Sequence, residues 1–318
     1  MAQHSDLKEY KIILSGLDNA GKSSYLIAIR KKYNFWEKIE DLKPTIKIDY
    51  STCIILRKHQ LNLWDMGGQE KFRNIYVNHP IYFEDTDAIL YLIDIQDEMR
   101  FETSVNYLHE LLNIFRNLEY NNEINICFHK FDPNYKNLEE FKERKRMLVD
   151  LIQKSNPKMN FRFFDTSIYN IYSLTKALSS SLNKILFLES ADNKLKEFAE
   201  NFSCDYVLLF SHKGLIISDY YKDVIDLKEY DIKIIPKLNE DLEFFQALIN
   251  NKVKIDEKLD FFKDNFTYVK TFIIHPTKGE KKTIRLFLSL KSTREEGNVD
   301  LIKSNLPTLL EEVKKIIF

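Results

Sequence analysis

GlyLeuAspAsnAlaGlyLysSer, residues 16 to 23, is the stretch on which the reading of this chain turns. The apolar run LysIleIleLeuSer at 11–15 precedes it, and SerSerTyrLeuIleAlaIleArg at 23–30 follows with helical spacing. A G-x-x-x-x-G-K-[ST] pattern set between a strand and a helix is the context of a phosphate-binding loop. The backbone N–H groups of Gly16, Asp18, Asn19, Ala20 and Gly21, with the helix N-terminus at Ser23 and Ser24, can surround a polyphosphate. Lys22 then neutralises the β- and γ-oxygens, and the Ser23 hydroxyl ligates magnesium. A mere glycine-bearing turn would need neither the lysine nor the serine.

Glycine is scarce, seven in 318 residues, and four of the seven fall in this stretch and in TrpAspMetGlyGlyGlnGlu at 64–70. That concentration points to backbone approaching a ligand rather than to turn chemistry. The second motif ends a strand, so Asp65 can reach magnesium through water, Gly68 can offer its N–H to a γ-phosphate, and Gln69 can orient an attacking water. Thr45, after Pro44 in the polar approach to the second strand, is expected to add a hydroxyl to magnesium and the γ-phosphate. Gln69, Lys22 and Thr45 are the expected catalytic set, and Ser23, Thr45 and Asp65 the expected metal set.

Strand-like runs alternate with helix-period segments over the first 190 or so residues: 11–15, 47–56, 60–65, 88–94, 124–130 and 161–165. This is an α/β, doubly wound pattern. Only Arg57 to His59 separate the second and third runs, too few residues for a parallel crossover, so that pair is expected to form an antiparallel hairpin at one edge. Past Leu188 the polar GluSerAlaAspAsn marks a change of order, and domains are expected at 1–190 and 191–318. The second domain reads as α-β-β-α-β-β with a further strand and a closing helix. Its elements are the stripe Leu195, Phe198, Ala199 and Phe202; a hairpin around HisLysGly; a helix at 241–250; strands at 267–275 and 283–290; and a helix at 306–317.

Composition excludes other classes. With 47 basic against 48 acidic side chains, a net charge of -1 gives nucleic acid no electrostatic footing. Cys53, Cys127 and Cys204 form no CxxC pair and the seven histidines are scattered, so neither a disulfide framework nor a zinc module is expected, and a cytoplasmic setting is. The start lacks an apolar signal core and a glycine at position 2, and apolar runs of about six residues fall far short of the ~20 that span a bilayer, so no intrinsic membrane anchor is expected. The basic run Lys142 to Arg146 is interleaved with acids and reads as a solvated helix face.

IleCysPheHisLysPheAsp, 126–132, ends the fifth strand at the edge where open α/β sheets bind ligands. A carboxylate at Asp132 can accept from the N1–H and 2-amino group of guanine, whereas adenine would leave it unpaired. His129, Lys130 and Asp132 are expected to bind the nucleotide, the stem of Lys130 covering the base face. ThrSerIle at 166–168 would present backbone N–H groups, Ser167 and Ile168 among them, to the guanine carbonyl.

Together these residues resemble the Ras superfamily of small GTPases over about residues 8 to 190. GlyLeuAspAsnAlaGlyLysSer and TrpAspMetGlyGlyGlnGluLysPheArg look most like its Arf side. HisLysPheAsp, PheAspThrSerIleTyr and AspTyrValLeuLeuPhe are similar to the Rag/Gtr family, with His129 where most of the superfamily has asparagine. Asp18 and Asn19 depart from the small residues usual in Rag phosphate loops, and the amphipathic, myristoylated start of Arf proteins is absent. The resemblance implies a P-loop GTPase domain of six strands followed by a roadblock-like or longin-like dimerisation domain. It also implies GTP and GDP with Mg2+, slow hydrolysis, and pairing as a homodimer or with a Rag-like GTPase. An exchange factor, an activating protein and an effector would be further partners, and recruitment to a membrane surface would pass through partners. The alternatives are an Arf-like regulator of membrane traffic and a nucleotide-bound scaffold that rarely hydrolyses GTP.

Overall fold

The computed structural model describes residues 8–30, 48–55, 59–185, 189–211, 216–222, 235–274, 284–294 and 298–317; Thr45, with Pro44, and the expected turns at 57–59 and 212–214 lie wholly or partly outside them. The chain divides into two compact units, 1–181 and 182–318.

In the first unit, β1 (Lys8–Gly16), β2 (Ile48–Ile55), β3 (His59–Met66), β4 (Ala88–Asp94), β5 (Ile124–His129) and β6 (Phe161–Asp165) form one sheet. Its order is β2-β3-β1-β4-β5-β6. Five strands are parallel, and β2 runs antiparallel to β3 at the edge, as three intervening residues require. β4 and β5 are buried on both faces, which is why they read as unbroken apolar runs rather than alternating ones. The helices of this unit are α1 (Lys22–Arg30), α2 (Glu70–Asn78), α3 (Phe101–Asn117), α4 (Glu139–Ser155) and most of α5 (Ile171–Ile185), which the boundary after 181 crosses. α3 buries Val105, Leu108, Leu111, Leu112 and Phe115 in the same core as Ile13, Ile89 and Ile126.

Register puts the strand ends in a row. Leu14 pairs with Asp65, Gly16 with Leu92, Asp94 with His129, and Phe128 with Asp165, so the carboxyl ends of β3, β1, β4, β5 and β6 share one rim. That rim is where an open parallel sheet leaves a crevice.

The second unit orders its described strands β8-β7-β11-β10-β9, every neighbour antiparallel. They are β7 (Cys204–Ser211), β8 (Ile216–Tyr221), β9 (Glu257–Phe261), β10 (Asn265–Ile274) and β11 (Ile284–Thr293). Helices α6 (Glu189–Asn201), α7 (Ile235–Asn250) and α8 (Asn298–Ile317) complete it. The polar 189–193 segment thus opens a helix, of which Ala191 is buried and Ser190 and Asn193 face water. α8 begins eight residues before the apolar stripe at Leu306 and runs through Pro307, which forfeits one backbone hydrogen bond on an exposed face. The run Lys142–Arg146 lies on α4, where Lys142 and Arg146 pair with Glu139, Arg144 with Glu140 and Glu98, and Lys145 with Asp165. Its positive charge is neutralised within the fold.

Candidate functional site

Three glycines let backbone approach backbone at the rim. Gly16 has φ +139°, and a Cβ there would lie 2.3 Å from the Leu92 carbonyl oxygen. At Gly21, with φ +87°, it would lie 2.5 Å from the His129 ring. At Gly68 it would lie 2.2 Å from the Asp18 nitrogen. No residue with a side chain can occupy these positions without displacing main chain or a buried ring. Asn19 also adopts the left-handed conformation, φ 60°, which asparagine tolerates better than most residues.

The loop from Leu17 to Gly21 curls over the start of α1. Lys22 is buried, and its ammonium donates to the carbonyl oxygens of Gly16 at 3.1 Å and Leu17 at 2.7 Å. Burial pushes its pKa down to about 8, against the opposing pull of Asp65 and Asp18. An anion delivered to this loop would relieve that penalty directly. The Ser23 hydroxyl meets the Asp65 carboxylate at the end of β3, and Asp65 is 2% exposed. A hydroxyl and a carboxylate brought together from two elements are hard oxygen donors suited to Mg2+. They fit the ion that the sequence implied.

The second glycine motif closes on the first. The Asp18 N–H donates to the Gly68 carbonyl at 3.0 Å, and Arg73 Nε donates to the same oxygen at 3.0 Å. Gln69 caps α2 with its carbonyl, which accepts from the Phe72 and Arg73 N–H groups, and its side chain is half-buried.

At the other end of the rim, the Ser167 hydroxyl donates to Asp132 Oδ1 at 2.5 Å and Gln96 Nε2 donates to Oδ2 at 3.0 Å. Each carboxylate oxygen keeps a lone pair for a further donor. Lys130, in a left-handed turn with φ 59°, pairs with Asp94 at 2.6 Å. His129 is 1% exposed; its Nδ1 lies 3.0 Å from Thr166 Oγ1, and its ring packs against Gly21 and near Tyr25. Burial, reinforced by the Lys130 charge, pushes this imidazole down to about 3, so it is neutral under ordinary conditions. One histidine therefore links the β5–β6 end of the rim to the glycine loop after β1.

The structure brings Gly16, Asp18, Asn19, Ala20, Gly21, Lys22, Ser23, Ser24, Asp65, Gly68 and Gln69 to the β1–β3 end of the rim, and His129, Lys130, Asp132, Ser167 and Ile168 to its β5–β6 end. Thr45 lies outside the described residues. Of the 166–168 N–H groups, that of Thr166 is bound to the Phe128 carbonyl and that of Ser167 to the Ser173 hydroxyl, so Ser167 serves Asp132 through its own hydroxyl. The reading from sequence missed the connection after β4. Asp94 holds Lys130, Gln96 holds Asp132, and Arg100 holds Asp18, at 2.5 Å to Oδ1 and 2.9 Å to the carbonyl. AspIleGlnAspGluMetArg at 94–100 follows a buried strand at the ligand-binding edge, and that position was the available clue.

Residues 11–232 match the Gtr1/RagA G protein conserved region. Among curated proteins, ADP-ribosylation factor-like protein 2 of Dictyostelium discoideum is 37% identical over 105 residues, 33% of this chain and 52% of that protein. Its namesake of Drosophila melanogaster is 38% identical over the same shares. The chain thus spans about half the length of the curated relatives it matches. A solved structure of the Arl6 BBS3 small GTPase of Trypanosoma brucei, with bound nucleotide analogue GppNp, aligns over 56% of this chain and 98% of that one, at 17% identity and a TM-score of 0.45.

The buried neutral histidine has a thermodynamic consequence. Its unfolded form takes a proton near pH 6.5 and its folded form only near 3, so the unfolded chain binds more protons in between, and stability present above 6.5 is lost as pH falls through that window. His129→Asn removes this titration. Denaturant unfolding between pH 6.5 and 4 should fall less steeply with acid in the variant than in the parent; equal slopes would show that His129 is not held neutral.

Proposed function

Because this chain belongs to the Gtr1/RagA G protein family, we propose that it is a guanine-nucleotide switch that binds GTP and GDP and hydrolyses GTP slowly. The observation that carries this reading is a single rim with a cationic, glycine-built loop at one end and a braced carboxylate at the other. Asp132 accepts from Ser167 at Oδ1 and from Gln96 at Oδ2, which braces the carboxylate while each oxygen can still accept from one of two adjacent N–H groups of a base. Guanine offers such a pair at N1 and N2; adenine offers an acceptor at N1 and no amino group at C2.

At the phosphate end, Lys22 and the N–H groups of the loop bind the β- and γ-oxygens. Magnesium, held by Ser23 and Asp65 with Thr45 as a further donor, would supply neutralisation of the phosphate charge. Gly68 now presents its carbonyl to Asp18. Turning the Gly68 N–H, which belongs to the preceding peptide, onto a γ-phosphate would swing the 67–69 backbone, release the Gly68 carbonyl from the Asp18 N–H, and carry Gln69 and α2 with it. This rearrangement is the switch, and Gln69 orients the attacking water within it.

The second unit we read as a roadblock-like dimerisation domain, on a sequence boundary near residue 190. β9 is an edge strand, and Phe261 and Phe262 are 53% and 48% exposed there, with Val253 and Ile255 also open to water. An exposed apolar edge is a template for a partner strand. The partner is a second copy or a Rag-like GTPase. Exchange, activating and effector proteins engage the switch segments. Among the described residues no helix is long and apolar enough to cross a membrane; on this reading the protein is cytoplasmic and reaches membranes through partners.

Competition binding tests the base assignment: the parent should prefer GDP over ADP strongly, and Asp132→Asn should shift preference toward xanthine nucleotides, whose 2-carbonyl an amide can serve. Equal affinity for ADP and GDP in the parent would end the guanine reading. Single-turnover hydrolysis should run on the order of 10⁻⁴ to 10⁻² per second. Gln69→Leu should slow it while GTP binding persists, and an unchanged rate would remove Gln69 from the chemistry. Light scattering on the full chain, alone and with a Rag-like GTPase, should report a dimer that Phe261→Asp weakens; a monomer in both cases would refute the dimerisation reading.

A further inference from the structure

Asp18 places a carboxylate inside the loop that must hold the most negatively charged part of a nucleotide. Two partly exposed charges are ordinarily a minor matter for stability. Here the geometry is specific. Arg100 grips both parts of one residue, its Nη2 on Asp18 Oδ1 at 2.5 Å and its Nη1 on the Asp18 carbonyl at 2.9 Å. The N–H of that same residue is bound to Gly68. Arg100 is itself fixed, because it ends a 3₁₀ turn (Glu98–Arg100), donates its N–H to the Asp97 carbonyl at 3.1 Å, and precedes the first residue of α3.

We propose that Arg100 is a positioning residue for the nucleotide: its guanidinium cancels the Asp18 charge and locks the Asp18 peptide, so that the loop accepts a polyphosphate. This rests on the guanine-nucleotide reading above. A planar fork suits the task better than an ammonium, since it can engage carboxylate and carbonyl together. Without Arg100, the carboxylate would face the incoming phosphates uncompensated, and the penalty would grow with ligand charge from GDP to GTP. Taking away Asp18 as well should remove the cause of that penalty. A residue that merely packed the start of α3 would show neither behaviour.

The test is nucleotide affinity with Mg2+ present, measured on the full chain with fluorescent GDP and a non-hydrolysable GTP analogue. The proteins are the parent, Arg100→Ala, Arg100→Gln, Arg100→Lys, Asp18→Ala and the Arg100→Ala/Asp18→Ala double variant. Arg100→Ala should weaken the GTP analogue by roughly tenfold or more at low salt, GDP by less, and the deficit should shrink as salt rises. The double variant should recover most of the loss, and Arg100→Lys should fall between. If Arg100→Ala does not fold, Arg100→Gln, which keeps much of the aliphatic stem and an N–H donor but loses the charge, must show the same order and the same rescue by Asp18→Ala. Arg100 variants that bind as the parent does, equal losses for GDP and GTP, or a double variant no better than the single one would overturn the proposal while leaving the nucleotide reading intact. A parent that binds no guanine nucleotide would sink that reading and this inference with it.

Discussion

The contact between Gly68 and the phosphate loop is the constraint around which the site is arranged. A Cβ on Gly68 would sit 2.2 Å from the Asp18 nitrogen and 2.3 Å from the Leu17 carbonyl carbon, so only glycine lets the two main chains meet. Their meeting is possible because β3 and β1 are parallel neighbours in register, Leu14 opposite Asp65, which delivers both loops to the same end of the sheet. The Asp18 N–H then has a choice of acceptors, the Gly68 carbonyl or a ligand. A switch needs a bistable element of this kind, a hydrogen bond that one ligand leaves in place and another replaces.

The same rim couples distant parts of the site. His129 closes on Gly21 from the β5–β6 end, and the 94–100 connection reaches Lys130, Asp132 and Asp18 with three of its side chains, Asp94, Gln96 and Arg100. Arg144 of α4 braces that connection with hydrogen bonds to the Ile95 and Gln96 carbonyls. On the proposed reading, base and phosphate recognition would be carried on one continuous framework, backed by a sheet whose central strands are buried on both faces. Ordering such a framework before the ligand arrives lowers the entropy that binding itself must overcome.

Much of this was legible in the sequence because it is local. The phosphate loop is eight consecutive residues, the antiparallel edge follows from a three-residue connection, and the parallel strands announce themselves as apolar runs. What escaped is either non-local or weakly patterned. Arg100 and Gln96 act on residues 82 and 36 positions away, and no spacing rule encodes that. β9 reads GluLysLeuAspPhe, an edge strand without an apolar run, and its first four residues are only half-buried. The early turns of α8 carry AspLeuIleLysSerAsn, without the apolar stripe that begins at Leu306, so the helix was expected from 306 and begins at Asn298. Ser167 was assigned by its backbone, whereas the fold uses its side chain, because Ser173 had already taken the N–H.

Hydrogen exchange across residues 16–24 and 64–73, followed with GDP and then with a non-hydrolysable GTP analogue under saturating Mg2+, reads the central claim at the place where it operates. The account predicts that the Asp18 amide and the segment from Gly68 through the first turn of α2 differ in protection between the two nucleotides, while Asp132 and its neighbours in β5 do not. Protection that is the same in both states at Asp18 and Gly68, with both nucleotides bound, would contradict it.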